Sequence, residues 1–130
     1  VPLITERGVA QPGNKALDRL RRAVVEASKQ CGRNRLMRIS EPMSVVAFAE
    51  SVRSATLRLF ATPDGQPWPT DIATEIASCI GPEGGFDPAE RERISEADHV
   101  LRVDLGPRIL RSETAAIVAL GILQSWMSTA

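Results

Sequence analysis

Two glycine–proline turns constrain the fold of this chain more than any other feature. They are Ile80-Gly81-Pro82-Glu83-Gly84-Gly85-Phe86 and, about twenty residues later, a second segment over residues 105–115. Each turn follows a short apolar run and precedes a helix-start signal. Strands that alternate with helices predict an α/β fold, here a mostly parallel sheet flanked by helices. In such sheets ligands bind beyond the carboxyl ends of the strands, so the two turns can form one pocket.

The periodicity of the rest of the chain agrees with this fold class. Strands are predicted over residues 3–5, 36–39, 56–60, 99–105 and within 72–80. Helices are predicted over residues 14–31, 44–52, 87–97 and 113–127. Ser44 and Ser112 are candidate N-caps, and Asp87, Pro88 and Glu90 predict a capping box with proline in the first turn. Residues 62–70, which hold three prolines and a glycine, predict a loop.

Composition excludes several classes of protein. A chain of 130 residues is long enough for one domain with a real core, and no apolar run approaches the roughly 20 residues of a membrane span. Cys31 and Cys79 lie far apart without metal-ligand spacing, so we expect free thiols in a reducing cytosol. Because His99 is the lone histidine, we expect no metal site.

The charge is unevenly distributed, although the net charge is zero. Residues 1–60 hold eleven Lys and Arg against five Asp and Glu, giving +6, and residues 61–130 hold five against eleven, giving −6. A basic half can present an electrostatic surface for RNA, for which Arg19, Arg21 and Arg22 on the first predicted helix are candidates. An ordinary solvated helix face explains the same composition equally well.

The first turn does not match the common phosphate-binding motifs. It lacks the lysine and hydroxyl of a P-loop and the G-x-G-x-x-G spacing of a dinucleotide fold. Its glycines would let the main chain approach a flat ligand closely, and main-chain groups can read the edge of an adenine. Two alternatives remain open from the residues alone. In the first, the glycines only shape a tight turn, and in the second, the chain is a flavodoxin-like binding or response module.

The paired turns resemble those of the SPOUT methyltransferases. The closer similarity is to the small-subunit ribosomal RNA uridine N3-methyltransferases, and it rests on both turns and on two upstream segments. Those segments are Ile4-Thr5-Glu6-Arg7 and Glu26-Ala27-Ser28-Lys29-Gln30-Cys31-Gly32-Arg33. The resemblance implies a trefoil-knotted α/β domain over residues 1–130, a cytoplasmic enzyme without a membrane segment, and a homodimer that methylates RNA of the small ribosomal subunit. The apolar helix over residues 115–123, with Trp126 beyond it, is the candidate dimer surface.

The resemblance also implies that S-adenosylmethionine binds in the knot. Carried over by position, the cofactor-binding residues are Thr62, Ile80, Gly81, Glu83, Gly84, Gly85, Leu105, Gly106, Ile109, Leu110, Arg111, Thr114 and Ala115. Uridine N3–H is a weak acid with a pKa on the order of 9, so its proton must be shared or removed. Arg111 is the candidate for stabilising charge on the ring or for placing a phosphate, and Glu113 is the candidate proton acceptor. Arg33 and Arg108 are candidate contacts to RNA or to the target base.

The sequence departs from the family pattern in three respects. Lys29 stands where an acidic residue is usual, and the family often has a proline near Met37. The family also carries an N-terminal β-barrel for RNA binding, whereas this chain begins almost at the methyltransferase domain. We therefore expect an excised domain or a truncated product. The alternative function is a cofactor-binding knot domain that acts on another RNA, or that is inactive without its RNA-binding domain.

Overall fold

The computed structural model describes residues 1–9, 13–69, 75–96 and 100–127. Within them the chain forms five strands and four helices. In chain order these are β1 (Leu3–Ile4), α1 (Asn14–Gln30), β2 (Met43–Ser44), α2 (Val45–Ser51), β3 (Leu57–Gln66), β4 (Ile76–Ile80), α3 (Pro88–Ser95), β5 (Val100–Val103) and α4 (Ser112–Met127). The predicted strand residue His99 lies outside the described residues, as do residues 72–74 and Ala97.

The main sheet is parallel and three-stranded, with β3 between β4 and β5. Ala61 of β3 pairs with Ile80 of β4 and with Val103 of β5, so the carboxyl ends of the three strands lie side by side. A second pair, β1 with β2, is also parallel. The α/β fold with parallel strands and flanking helices is thus confirmed, while the threading of the knot stays a prediction.

Strand β3 is longer than its sequence predicts. Residues 62–66 were expected in a loop, but both Ala61 and Gln66 pair with Val103 of β5, and residues 62–65 bulge out between them. Pro63 lacks the N–H that a continuous ladder needs, which explains why the strand bulges here. Gly65 fits only as glycine, because an added Cβ would overlap the Val103 carbonyl carbon. We call residues 62–65 the bulge.

The strand predicted over residues 36–39 is wrong. This segment is irregular, and Leu36 and Met37 are exposed, because no neighbouring strand pairs with it in the described structure. The residues that pair with β1 are instead Met43 and Ser44. The apolar residues of this short segment predicted a strand, but the segment has no sheet face to bury them against.

Most helix boundaries agree with the sequence. Helix α1 is terminated by a Schellman cap. Gly32, just beyond the helix, adopts φ +66, and the Arg33 amide donates to the Ser28 carbonyl at 3.0 Å. Ser44 caps α2 by accepting from the Ala47 amide, and Asp87 with Glu90 forms the predicted capping box of α3. Ser112 is not the cap of α4. The helix already begins there, and the first helical bond runs from the Ala115 amide to the Arg111 carbonyl.

The core lies between the main sheet and helices α2 and α3. It is built from Val45, Phe60, Cys79, Phe86 and Ile94, each at least nine-tenths buried. The rings of Phe60 and Phe86 are 5.1 Å apart between centroids. Since Phe86 closes the first glycine turn, this core extends directly beneath that turn. No helix in the described ranges is both long enough and apolar enough to cross a membrane.

Candidate functional site

A cavity of about 310 Å³ opens where the carboxyl ends of β3, β4 and β5 meet. Three segments at or near the carboxyl ends of these strands form most of its walls. They are the bulge, loop 1 (residues 80–86) and loop 2 (residues 105–111). The cavity therefore lies at the sheet edge where an α/β fold is expected to bind a ligand.

Loop 1 is a closely packed turn. The Gly85 amide donates to the Pro82 carbonyl at 2.8 Å, and Gly85 adopts φ +69, which favours glycine. An added Cβ at Gly81 would lie 2.7 Å from the buried Phe86 ring. Gly81 is thus required by the close approach of the ring, and the loop is held by the core beneath it.

Loop 2 is held less firmly. The Gly106 amide donates to the Asp104 carboxylate at 3.0 Å, and Gly106 adopts φ +105. The Asp104 carbonyl accepts from the Trp68 indole at 2.5 Å, and Trp68 packs edge-on against Trp126 of α4. Beyond these contacts Ile109 is 79% exposed although it lines the cavity.

Glu83 joins loop 1 to the first residue of α4, directly after loop 2. Its carboxylate accepts from the Ser112 hydroxyl at 3.0 Å, at the amino end of α4. The pKa of Glu83 is lowered, first by a hydrogen bond from its own main chain and then by the Ser112 hydroxyl, with smaller contributions from the Ser112 main chain and Arg111. A carboxylate at a helix N-terminus also complements the helix dipole. The carboxylate of loop 1 therefore contacts the first residue of α4, which the sequence proposed as the cap of that helix.

The bulge forms the third wall. Thr62 is buried, lines the cavity and donates its hydroxyl proton to the Asp64 carboxylate. Asp64 also accepts two hydrogen bonds from Arg91 of α3, at 2.8 and 2.9 Å, and one from Arg102 of β5 at 3.3 Å. The pKa of Asp64 is lowered, chiefly by the Thr62 hydroxyl. Asp64 thus ties the bulge to its neighbours on both sides.

The structure brings most of the predicted cofactor residues together. All of them line the cavity except Arg111 and Thr114; those that do are Thr62, Ile80, Gly81, Glu83, Gly84, Gly85, Leu105, Gly106, Ile109, Leu110 and Ala115. Their binding of a cofactor stays a prediction.

The predicted catalytic residues lie outside this lining. The Arg111 side chain is 80% exposed and lies 4.0 Å from the Glu113 carboxylate, which is also largely exposed. Arg33 is exposed in the turn that follows α1, and Arg108 lines the cavity from loop 2. The roles proposed for Arg111, Glu113 and Arg33 remain predictions, because the cavity walls do not include these side chains.

Sequence reasoning gave no site role to several lining residues. Arg7 reaches the cavity from the turn after β1, and Arg91 reaches it from α3. Phe60 and Phe86 form part of its floor. The segment around Arg7 was noted for its family resemblance, but its position beside loop 1 depends on a contact between residues 77 positions apart. No local pattern encodes that contact.

The two cysteines are free, as predicted, and differ in environment. Cys31 is exposed and Cys79 is buried in β4. Burial, together with the charge of Glu90, raises the pKa of the Cys79 thiol to about 12. Across the part of the chain that the structure describes, no three His, Cys, Asp or Glu side chains are grouped to hold a metal ion.

The chain is similar to known methyltransferases over nearly its whole length. The family model described as "RNA methyltransferase domain" matches residues 1–124. Ribosomal RNA small subunit methyltransferase E of Synechocystis is 32% identical over 98% of this chain and 45% of the relative. The protein of that name from Mycobacterium bovis is 36% identical over 83% of this chain and 44% of the relative. The chain thus spans about half the length of the curated relatives it matches.

Solved structures show the same similarity. A ribosomal RNA small subunit methyltransferase E from Neisseria gonorrhoeae bound to S-adenosyl methionine has a TM-score of 0.84 at 30% identity, covering 95% of this chain and 53% of that one. A structure from Legionella pneumophila with the bound cofactor SAM has a TM-score of 0.86 at 34% identity, covering 96% of this chain and 54% of that one.

Proposed function

The chain belongs to the RNA methyltransferase domain family, and from this premise we propose that it transfers a methyl group from S-adenosylmethionine to N3 of a uridine in small-subunit ribosomal RNA. Two kinds of similarity support the proposal. Curated relatives are named for methylation of this RNA, and a related structure contains S-adenosyl methionine. The observation that carries it is the cavity formed by the bulge and both loops at one edge of the sheet.

The cavity suits S-adenosylmethionine in size and chemistry. Its volume of about 310 Å³ is that of a small-molecule pocket. Gly81, Gly84 and Gly106 expose main chain along the walls, and apolar side chains such as Ile80 and Leu105 flank them. A flat base can pack on such walls while main-chain groups bind its polar edge. Glu83 adds an anionic group, which is favourable for a ligand with a positively charged sulfur.

S-adenosylmethionine, when bound, supplies an electrophilic methyl group and needs no metal. The task left to the chain is to hold the uracil in line with that group and to stabilise negative charge as N3 loses its proton. We assign Arg111 to the ring charge or to a phosphate, and Glu113 to the proton. Their exposure at the amino end of α4 means that bound RNA must cover them.

We further propose that the basic surface of the first sixty residues binds the RNA backbone. Arg19, Arg33 and Arg35 are exposed and form no ion pair among the described residues. Arg21 is less available, because it pairs with Asp18 and Glu41. Phosphate binding by these groups predicts an affinity for RNA that falls steeply with salt concentration. A ribosomal RNA substrate places the domain in the cytoplasm with the ribosome.

The same proposal includes a homodimer formed through α4. Ile117 and Leu120 lie three positions apart on this helix and are 70% and 64% exposed. Residues with this spacing share one face, and an exposed apolar face of this kind favours association. Light scattering should give twice the mass of one chain. An I117K/L120K double variant should give the mass of one chain, and a wild type that is monomeric at all concentrations would contradict the dimer.

The function is tested by separating cofactor binding from methyl transfer. Calorimetry with S-adenosylmethionine should show binding, and tritium from labelled cofactor should appear at uridine N3 of isolated small ribosomal subunits. Failure to bind would exclude both the methyltransferase and a cofactor-binding role. Binding without transfer would instead favour the alternative, a domain that acts on another RNA or lacks activity by itself.

A further inference from the structure

Three arginines line the cavity, and they differ in how their charge is compensated. Arg91 forms a two-point ion pair with Asp64. Arg108 is exposed in the loosely held loop 2. Arg7 lies beside the firmly packed loop 1. Of these, Arg7 combines a fixed position with a charge that the described residues leave unpaired.

The turn that carries Arg7 is firmly anchored. The Gly8 amide donates to the Thr5 carbonyl at 3.2 Å, and a Cβ at Gly8 would lie 2.7 Å from the Thr5 hydroxyl. The Glu6 amide donates to the Glu90 carboxylate at 2.9 Å. Glu90 is also the capping-box residue of α3. The turn after β1 is therefore attached to the helix that follows loop 1.

The Arg7 side chain makes a direct contact with loop 1. Its Nη1 donates to the Gly84 carbonyl at 3.1 Å. A guanidinium has five N–H donors, so this bond leaves most of them available for another acceptor. The contact fixes where the charge lies without neutralising it, because a carbonyl oxygen is uncharged.

No carboxylate in the described structure lies within ion-pair distance of Arg7. Glu83, the carboxylate on the same loop, is engaged with Ser112 instead. A free cation at the wall does not favour a sulfonium ligand, since like charges repel. It favours an anion, and RNA supplies anionic oxygens on its phosphates and, once N3 loses its proton, on the uracil ring.

We propose that Arg7, positioned by the Gly84 carbonyl, binds an anionic oxygen of the target nucleotide at the mouth of the cofactor cavity. This inference rests on the proposed function. It adds Arg7, in the turn after β1, to the arginines near α4 that are proposed to contact the substrate. The planar guanidinium can bind two oxygens at once, which a lysine ammonium cannot do with the same geometry.

The experiment compares wild type with R7A, R7K and a matched control, R93A. Arg93 is an exposed arginine of α3 that pairs with Glu96 and does not line the cavity. With the product S-adenosylhomocysteine at saturation, fluorescence anisotropy measures binding of a single-stranded RNA that contains one uridine. Calorimetry measures S-adenosylmethionine binding by each variant.

R7A should bind this RNA at least about tenfold more weakly, the scale of a lost charge-assisted contact, while its affinity for S-adenosylmethionine stays within about twofold of wild type. R7K, which keeps a donor for Gly84, should recover part of the loss, and R93A should match wild type. A phosphate contact would reduce the slope of log affinity against log salt by about one in R7A. A contact to the ring would leave that slope unchanged, and R7A would then need a higher pH than wild type for methyl transfer.

Unchanged RNA binding by R7A, together with an unchanged pH profile of methyl transfer, would overturn the proposal. It would also be overturned if R7A lost cofactor affinity instead, because Arg7 would then only support loop 1, or if wild type bound no RNA. Failure of the proposed function is separately visible: wild type would bind cofactor and RNA without transferring the methyl group, and the binding comparison would still decide the role of Arg7.

Discussion

Loop 1 and loop 2 face each other across one cavity but are supported differently. In loop 1, Gly81 packs closely on the buried Phe86 ring. The Gly84 carbonyl accepts a hydrogen bond from Arg7, and the Glu83 carboxylate accepts one from Ser112. Loop 2 is held near its start by the Asp104 carboxylate, and it then exposes Ile109. One wall is built into the core and the other lies largely on the surface.

This difference indicates how the cavity works. A wall that is fixed before binding selects ligands by shape, because its conformational entropy is already lost in folding. A wall that exposes an apolar side chain gains stability when a ligand or a second chain covers it. We expect loop 1 to be preformed and loop 2 to be completed by the cofactor and the dimer partner.

Gly81→Ala should have the largest effect on stability. The new methyl group would lie 2.7 Å from the Phe86 ring, which is buried against Phe60 and cannot move freely. Over-packing of this kind costs roughly 1–3 kcal/mol. Urea unfolding should show this loss, and calorimetry should show weaker binding of S-adenosylmethionine.

Gly84→Ala is the matched control in the same loop. Its methyl group would meet the Arg7 Cβ at 3.4 Å, an ordinary contact distance. The urea concentration at the midpoint of unfolding should be nearly the same for this variant as for wild type. If G81A were as stable as G84A, loop 1 would not be held by the core, and the comparison between the loops would fail.

Glu83→Gln should have an intermediate effect, because it weakens the link between loop 1 and the start of α4. The pKa of Glu83 is lower in the folded chain than its ordinary value of about 4.3. Its carboxylate therefore stabilises the fold at a pH above that ordinary pKa. This contribution to stability is lost as the pH falls through the lowered pKa of the folded state. The difference in unfolding free energy between wild type and E83Q should be present at pH 7 and should shrink in acid.

Cofactor affinity of E83Q should fall a few-fold, the scale of an exposed charge interaction. Glu92→Gln, at an exposed position of α3 away from the cavity, is the control. A stability difference between wild type and E83Q that grew as pH fell would show that Glu83 does not act as a carboxylate in this link.

Ile109→Ala should have the smallest effect on the free chain. The side chain is 79% exposed, so its truncation should change the unfolding free energy by less than about 0.5 kcal/mol. If a ligand or partner covers Ile109, cofactor affinity or dimerisation should fall at least about fivefold through lost apolar burial. A large loss of stability with unchanged binding would mean that loop 2 is as firmly folded as loop 1.

The local patterns in the sequence predicted much of this architecture. The capping box of α3 and the glycine that ends α1 depend on neighbouring residues, and both are confirmed. The two turns predicted the cavity because parallel strands end at one edge. The remaining features depend on distant contacts. Residues 36–39 had a strand pattern but no partner strand. Residues 62–66 were predicted as part of a loop, but they belong to β3, in which the residues on both sides of the bulge pair with β5.

The site was predicted less completely than the fold. Nearly all proposed cofactor residues line the cavity because they belong to the loops themselves. Arg7 could not be assigned, since its contact with Gly84 joins residues 77 positions apart in the chain. The prediction of Ser112 as the cap of α4 is wrong, because Ser112 is the first helical residue and its hydroxyl donates to Glu83 of loop 1. A local pattern cannot show a group supplied by another loop.

The most direct test of the cavity is amide hydrogen exchange with and without S-adenosylmethionine. We expect slower exchange on binding in both loops, with the larger change in residues 105–111 because loop 1 is already ordered in the free chain. Protection confined to other segments, or no change at saturating cofactor, would contradict the assignment of this cavity as the cofactor site.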